Sequence, residues 1–253
     1  MVETEIIAQI ECHEDAGLMR LCNFRAERDA YFNYCHSKPD PFFNRIRKIR
    51  VNADRIEDFI RNAEEFYSSF GNSPSFVVNP LTEPIELPRV LIERGYCQHS
   101  VSVMIVSSQN IKLQLKVNPN VALYSNPTIE EFVSIFSTEF LKQGEDLFVL
   151  RNRVAQNMAE NNTHFVARVV EKAVGVVGAI SFNDIYSVYG LCVLNEFRKQ
   201  GIGATLLCGL FNALKEKNPK RIYAKTSNAL LLEKAKLLGM DSYGEVTFQK
   251  LKK

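Results

Sequence analysis

The stretch that most narrows the folds open to this chain is a strand that runs straight into a glycine-bearing loop and then a helix. Residues 186–194 are rich in β-branched and aromatic side chains, as strands are. Asn195, Glu196, Phe197, Arg198, Lys199, Gln200, Gly201, Ile202 and Gly203 follow, after which Ile202, Leu206, Leu207, Leu210, Phe211 and Leu214 recur at helical spacing. A helix start carries unpaired N–H groups and the positive end of the helix dipole. It binds phosphate oxygens when the backbone can be approached closely. Gly201 and Gly203 remove the side chains that would block that approach, Arg198 and Lys199 add positive charge, and Gln200 adds an amide. A glycine pair alone is also an ordinary tight turn, so its surroundings must decide. A P-loop is excluded because no G-x-x-x-x-G-K-S/T occurs, and Leu206 stands where a dinucleotide-binding fingerprint has its third glycine.

The elements around the loop predict an α/β fold, with a mixed and mostly antiparallel sheet flanked by helices. Thr128 and Glu131 form a capping box ahead of Phe132, Val133 and Phe136. A second helix is expected at 148–159, a hairpin at 165–170 and 173–182, a strand at 222–226, a helix at 229–238 ending before Gly239, and a last strand at 246–251. The first half has the same order: a helix at 4–21, strands within 30–51 broken by a turn at Lys38, Pro39, Asp40 and Pro41, and a helix from Ile56 to Phe70 with an Asp54/Glu57 capping box. A strand at 75–79, a short helix at 87–94 closing at Gly95 and a strand at 100–106 complete it. This parallel order reads as an internal duplication in two related units, residues 1–118 and 121–253, of which only the second has the glycine loop.

Leu191, Cys192, Val193 and Leu194, followed by Arg198, Lys199, Gln200, Gly201, Ile202, Gly203 and Ala204, resemble motif A of the GCN5-related N-acetyltransferases (GNAT), whose signature is R/Q-x-x-G-x-G/A after an L-x-V strand. Residues 228–240, ending Leu238, Gly239, Met240, are similar to the family's Asn-led helix that closes in Leu-Gly-Phe. The resemblance covers about residues 121–253, and the first half looks like a degenerate copy of the same fold, as in tandem members.

The resemblance implies an N-acetyltransferase that uses acetyl-CoA, with direct attack of a neutral amine on the thioester. It implies that the backbone of Leu191, Cys192 and Val193 bonds to the pantetheine arm of coenzyme A, that the amides from Arg198 to Ala204 hold the pyrophosphate, and that Asn228 touches the cofactor near its thiol. By spacing alone Asn228 is equally a helix N-cap. The family's usual tyrosine acid falls at Ala235 and the glutamate base of its histone-acetylating branch near Val188, neither of which can move a proton. Tyr189 and Tyr186 are therefore the catalytic candidates, although strand tyrosines commonly serve packing. The missing groups keep a non-catalytic acyl-CoA sensor open, and a longer acyl chain is a further alternative. The expected acceptor is a small-molecule or peptide amine.

Composition sets limits on other partners. The net charge is +2, with fourteen Lys and Arg against sixteen Asp and Glu up to residue 118 and seventeen against thirteen beyond it. No global field recruits nucleic acid, and the basic run at Arg45, Arg47, Lys48 and Arg50 is expected to be a solvated strand face. Six scattered cysteines without a C-x-x-C pair, and four histidines without ligand spacing, suggest neither a metal site nor a disulfide framework. A reducing, cytoplasmic setting fits, and the most apolar stretch, residues 165–182, is broken by Arg168, Glu171 and Lys172, so no membrane span is expected. Cys192 is expected to be a packed side chain rather than a nucleophile. An exposed strand edge leaves a homodimer open.

Overall fold

The computed structural model describes residues 2–19, 21–36, 43–107, 115–141, 147–159, 162–237 and 239–250. The expected turn at Lys38 to Pro41 lies outside the described residues, as does Leu238. In chain order the elements are α1 (Thr4–Leu18), β1 (Asn23–Ala26), β2 (Tyr31–Tyr34), β3 (Arg45–Arg47), α2 (Ile56–Ser68), β4 (Ser75–Val78), α3 (Leu87–Glu93) and β5 (Cys97–Ser107). They continue as β6 (Ala122–Ser125), α4 (Ile129–Phe140), α5 (Leu147–Ala159), β7 (Thr163–Val169), β8 (Lys172–Phe182), β9 (Ile185–Val193), α6 (Ile202–Glu216), β10 (Arg221–Thr226), α7 (Ala229–Leu237) and β11 (Asp241–Gln249). No described helix is long and apolar enough to cross a membrane.

The chain forms two compact units. The first takes Met1–Ile105 together with Thr226–Glu233 and Asp241–Lys253, and the second takes Val106–Lys225 with Lys234–Met240. Compactness thus does not follow sequence position, because the last strand, β11, lies between β4 and β5 in the first unit. Phe248, Thr247 and Val246 of β11 pair antiparallel with Phe76, Val77 and Val78 of β4.

In the first unit the strand order is β1-β2-β3-β4-β11-β5. The stripe anticipated on α2 buries Ile56, Ile60, Ala63 and Tyr67 against Phe32, Ile46 and Phe76. Each such large side chain contributes about 1.5–3 kcal/mol when fully buried. Tyr67 also satisfies its hydroxyl, which donates to the carbonyls of Asn33 at 2.7 Å and Arg45 at 3.1 Å. The Asp54/Glu57 capping box does not form. A 3₁₀ turn at Ala53–Arg55 carries the chain past Asp54, and α2 starts at Ile56 with no side-chain cap.

The basic run is not a solvated face either. Arg47 is 2% exposed and bonds to Glu14, and to Asp15 Oδ1 at 3.3 Å, while Lys48 pairs with Asp15 and Arg50 lies 3.7 Å from Glu11. Glu11, Glu14 and Asp15 share one face of α1 because they are spaced i, i+3, i+4. Asn79 donates to Glu11 Oε1 at 2.6 Å. Burial alone would lower the pKa of the Arg47 guanidinium, but the carboxylates of Glu14, Asp15, Glu245 and Glu11 more than reverse this and hold it charged. The acids of α1 therefore turn a basic strand segment inward.

In the second unit the order is β10-β9-β8-β7-β6, with β6 to β9 successively antiparallel and β10 parallel to β9. α6 packs on one face, where Ile202, Leu206, Leu210 and Leu214 meet Ala167, Val177 and Val188. α4 and α5 cover the other, where Phe132, Phe136, Leu150 and Val154 meet Val166, Val176 and Cys192. The expected capping box is formed: Thr128 Oγ1 accepts from the Glu131 N–H at 3.1 Å and Glu131 Oε2 from the Thr128 N–H at 3.0 Å. Two strands went unanticipated, β1 and β6, whose short and largely exposed segments lack the alternation of a buried face.

Candidate active site

β9 is paired along its whole length on one edge and along only part of the other. Its pairing with β8 runs from Ile185 opposite Phe182 to Val193 opposite Gly175. The parallel pairing with β10 runs from Ile185 opposite Arg221 to Val188 opposite Ala224 and ends there. Beyond Val188 the described register between β9 and β10 does not continue. A strand edge past the end of its register can accept an extended ligand as it would another strand.

A bulge lies at the same place. Tyr189 is opposite Gly178 and Cys192 opposite Val176, so Gly190 and Leu191 face the single residue Val177. Gly190 supplies the left-handed backbone, at φ 64°, and a Cβ there would press on the Phe132 ring at 3.1 Å. The bulge sends Leu191 and Val193 toward the α6 face and Cys192 toward α4.

The loop after β9 is held by its own side chains. Arg198 Nε donates to the Val193 carbonyl at 2.9 Å, and Gln200 Nε2 to the Glu196 carbonyl at 3.2 Å. Asn118 braces the loop from the segment before β6: its Nδ2 donates to the Gln200 carbonyl at 2.8 Å and its N–H to Thr205 Oγ1 at 2.9 Å. Lys199 is exposed at φ 63° and Gly201 caps α6 at φ 79°. The first helical bond runs from the Thr205 N–H to the Gly201 carbonyl at 3.0 Å, so the N–H groups of Ile202, Gly203 and Ala204 precede the first acceptor within the helix. No side chain caps this end and its first turn has no acidic residue, unlike the capped start of α4. A Cβ placed on Gly203 would meet only Val193 Cγ2, at 3.9 Å. The start of α6 therefore has backbone N–H groups ahead of its first helical bond and room beside Gly203.

Tyr189 and Tyr186 sit on opposite faces of the sheet. Tyr186 is buried among the α6 contacts in the fully paired part of β9, its hydroxyl pKa raised by burial and by Asp184. Tyr189 is half-buried among Phe132 and Phe136, and its hydroxyl lies 2.6 Å from His164 Nε2 across the sheet. Gly178, on the strand between them, makes room, since a Cβ there would stand 2.6 Å from Tyr189 and 2.7 Å from His164. Burial raises the Tyr189 pKa, with the Asn157 side chain and the charge of Arg153 pulling the other way. Burial pushes His164 down to about 4, partly opposed by its bond to the Asn162 backbone and helped by the charge of Lys217. The ring is then neutral near pH 7: the nitrogen facing Asn162 carries the proton, and Nε2 accepts from Tyr189. His164 also lines a cavity of about 390 Å³ with Asn126, Thr128, Ala155, Met158 and Asn162. The sequence offered no signal for His164 beyond its place in a strand, because its partner is two strands away.

The remaining candidates divide. Cys192 is 4% exposed, with its thiol toward the Ile135 carbonyl at 3.5 Å, so it is packed as expected. Ile202 is core, and Gly203 and Ala204 are half-buried. Asn228 caps α7, its Oδ1 accepting from the N–H groups of Leu230 at 3.0 Å and Leu231 at 3.3 Å. Ala235 and Val188 are buried and apolar.

Comparison with known proteins agrees with this geometry. The model of the acetyltransferase (GNAT) family matches residues 129–234. Among solved structures, the chain is similar to a GCN5-related N-acetyltransferase from Kribbella flavida at 13% identity and TM-score 0.74, covering 97% of this chain and 96% of that one. It is similar to a conserved protein of unknown function from Staphylococcus epidermidis at 14% identity and TM-score 0.68, covering 90% and 94%. A tandem GNAT protein from the clavulanic acid biosynthesis pathway aligns at 12% identity and TM-score 0.57, covering 83% and 75%. No curated protein sequence matches the chain. At these identities the likeness establishes the fold: a mixed α/β architecture in two units. The family match spans the loop and its flanking strands, so residues 129–234 carry the match to the acetyltransferase (GNAT) family and the structural likeness gives the fold around it.

Proposed function

We propose that this protein binds acetyl-CoA at the β9 edge and the α6 N-terminus and transfers the acetyl group to a small-molecule or peptide amine in the cytoplasm. The observation that carries the reading is the uncapped, acid-free start of α6 next to the half-paired edge of β9. The amides of Ile202, Gly203 and Ala204 would hold the pyrophosphate, with Arg198 and Lys199 supplying charge, and the open edge at Leu191 to Val193 would take the pantetheine amides. When bound, acetyl-CoA supplies an acyl group on a good leaving group. The chain's own part is to position, to exclude water and to move a proton. The division into residues 1–118 and 121–253 is, on this reading, one of ancestry, with β11 contributed to the degenerate copy's sheet. Residues 1–118 carry no glycine loop of this kind in their sequence.

The proton path proposed here starts at the cavity beside His164, where the amine would enter. Neutral His164 accepts a hydrogen bond from Tyr189, which stands at the bulge where the free edge of β9 begins. Tyr189→Phe keeps the ring packing and removes the hydroxyl. It is expected to lower kcat about 100-fold, the lower end for general acid–base groups, with acetyl-CoA affinity unchanged. An unchanged kcat would remove Tyr189 from the reaction. The direct test of the reading is calorimetry with acetyl-CoA combined with CoA release in the presence of pooled amines. Binding with amine-dependent release supports transfer. Binding without release supports the alternative of an acyl-CoA sensor, which buried Ala235 and Val188 favour, and tighter binding of longer acyl-CoAs would redirect the acyl assignment.

His164 also makes a stability prediction. Its folded pKa, about 4, lies below the ordinary 6.5, so the unfolded chain takes up the proton first on acidification. The stability due to the neutral ring is fully present above about pH 6.5 and is lost as pH falls toward 4, a loss on the order of 3 kcal/mol. Urea midpoints at pH 7 and pH 4.5, from wild type and His164→Gln, measure it. Wild type should show the steeper fall, and equal falls would refute the assignment.

A further inference from the structure

Cys22 directly precedes β1 and Cys35 directly follows β2, at the foot of the first hairpin. The register of β1 and β2 runs from Ala26 opposite Tyr31 to Asn23 opposite Tyr34, and one further step sets Cys22 opposite Cys35. The turn over Arg28 and Asp29 is closed by the Glu27 N–H donating to the Ala30 carbonyl at 2.9 Å. Bonded and non-bonded pairs alternate along an antiparallel ladder. Counting from Glu27 and Ala30, the pair Asn23/Tyr34 is bonded and Cys22/Cys35 is non-bonded. Residues in non-bonded pairs lie about 4.5 Å apart at Cα with side chains on the same face. That falls inside the range of about 4.4–6.8 Å at which a disulfide closes without moving the backbone.

The side chains agree with the register. The Cys22 thiol is close enough to Cys35 for the two to interact electrostatically. Both cysteines carry thiols and are half-buried. Both are also anchored: the Cys22 thiol donates to the Leu18 carbonyl at 3.2 Å, the Cys35 N–H donates to Asn44 Oδ1 at 3.2 Å, and the Cys35 carbonyl accepts from Asn72 Nδ2 at 2.9 Å. The thirteen-residue spacing hides this pair from motif reading.

We propose that Cys22 and Cys35 are a redox-modification site that closes to a disulfide with a peroxide and reopens with a dithiol. In the closing step one thiolate attacks the O–O bond and becomes a sulfenic acid with loss of water; the second thiolate then displaces its hydroxyl as a second water. The two sulfurs lose two electrons and the peroxide gains them. A dithiol reverses the bond by exchange. Closure ties the end of α1 to the segment held by Asn44 and Asn72. Burial pushes the Cys22 thiol up to about 11, so closure should be slow at neutral pH and accelerate as pH rises.

The test treats the reduced full chain with hydrogen peroxide and maps it by trypsin without reductant, since Arg25 and Arg28 separate the two cysteines. The expected product is a Cys22–Cys35 linked peptide that dithiothreitol releases, formed equally in a Cys12→Ser/Cys97→Ser variant. Cys22→Ser should leave Cys35 as a sulfenic acid trapped by dimedone. Oxidation of Cys12 and Cys97 without a Cys22–Cys35 link overturns the proposal. So does a link that forms only in urea-unfolded chain.

Discussion

An aspartate at Gly203 is expected to abolish acetyl-CoA binding while leaving the protein folded. Gly203 has ordinary backbone angles and, with only Val193 Cγ2 near at 3.9 Å, space for a Cβ. An acid in the first turn of α6 is favourable to the helix by about 0.3–1 kcal/mol. The same carboxylate would lie beside the pyrophosphate, and two like charges about 4 Å apart repel by about 4 kcal/mol at an effective dielectric of 20. Affinity should fall by at least about 100-fold. Calorimetry and a thermal melt on the same sample separate binding from folding. Gly203→Asp that binds acetyl-CoA as tightly as wild type would sink the cofactor assignment, and a melt that collapses would refute the claim that this helix end is open.

Arg47→Ala should have the largest effect on stability, a loss of about 3–5 kcal/mol, as when one partner of a buried ion pair is removed. The side chain is almost fully buried, and its loss takes a positive partner from Glu14 and Asp15 with Glu245 nearby. Chemical denaturation monitored in the first unit should show the fall. A second variant tests the cause: Arg47→Met with Glu14→Gln and Asp15→Asn removes the carboxylate charges that Arg47 offsets and should recover part of the loss. If Arg47→Ala costs less than about 1 kcal/mol, the network is in effect solvated like a surface pair.

What could be read from the sequence was local. The α2 stripe, the Thr128 cap and the turn from β9 into α6 depend on residues within a few positions of one another, and spacing reveals them. Arg47 was misread because its burial depends on Glu14 and Asp15, far away on α1. The His164–Tyr189 pair depends on Gly178 in the strand between, which no motif records. Asp54 was offered as a cap, but the 3₁₀ turn at Ala53–Arg55 takes the helix start away from it. Asn228 could be read as a cap or as a ligand residue, and its bonds to Leu230 and Leu231 supply the first role. Short exposed strands such as β1 and β6 bury too little to leave a pattern.

The place of β11 has a consequence for the order of events during synthesis. β4 emerges from the ribosome before β6 to β10, yet the strand that pairs with Phe76, Val77 and Val78 emerges after them. Through most of translation β4 therefore presents an apolar, unpaired edge, while β6 to β10 can already zip together. The nascent chain should complete its second unit first, and a ribosome stalled before residue 241 should leave the N-terminal unit open to chaperones and proteases.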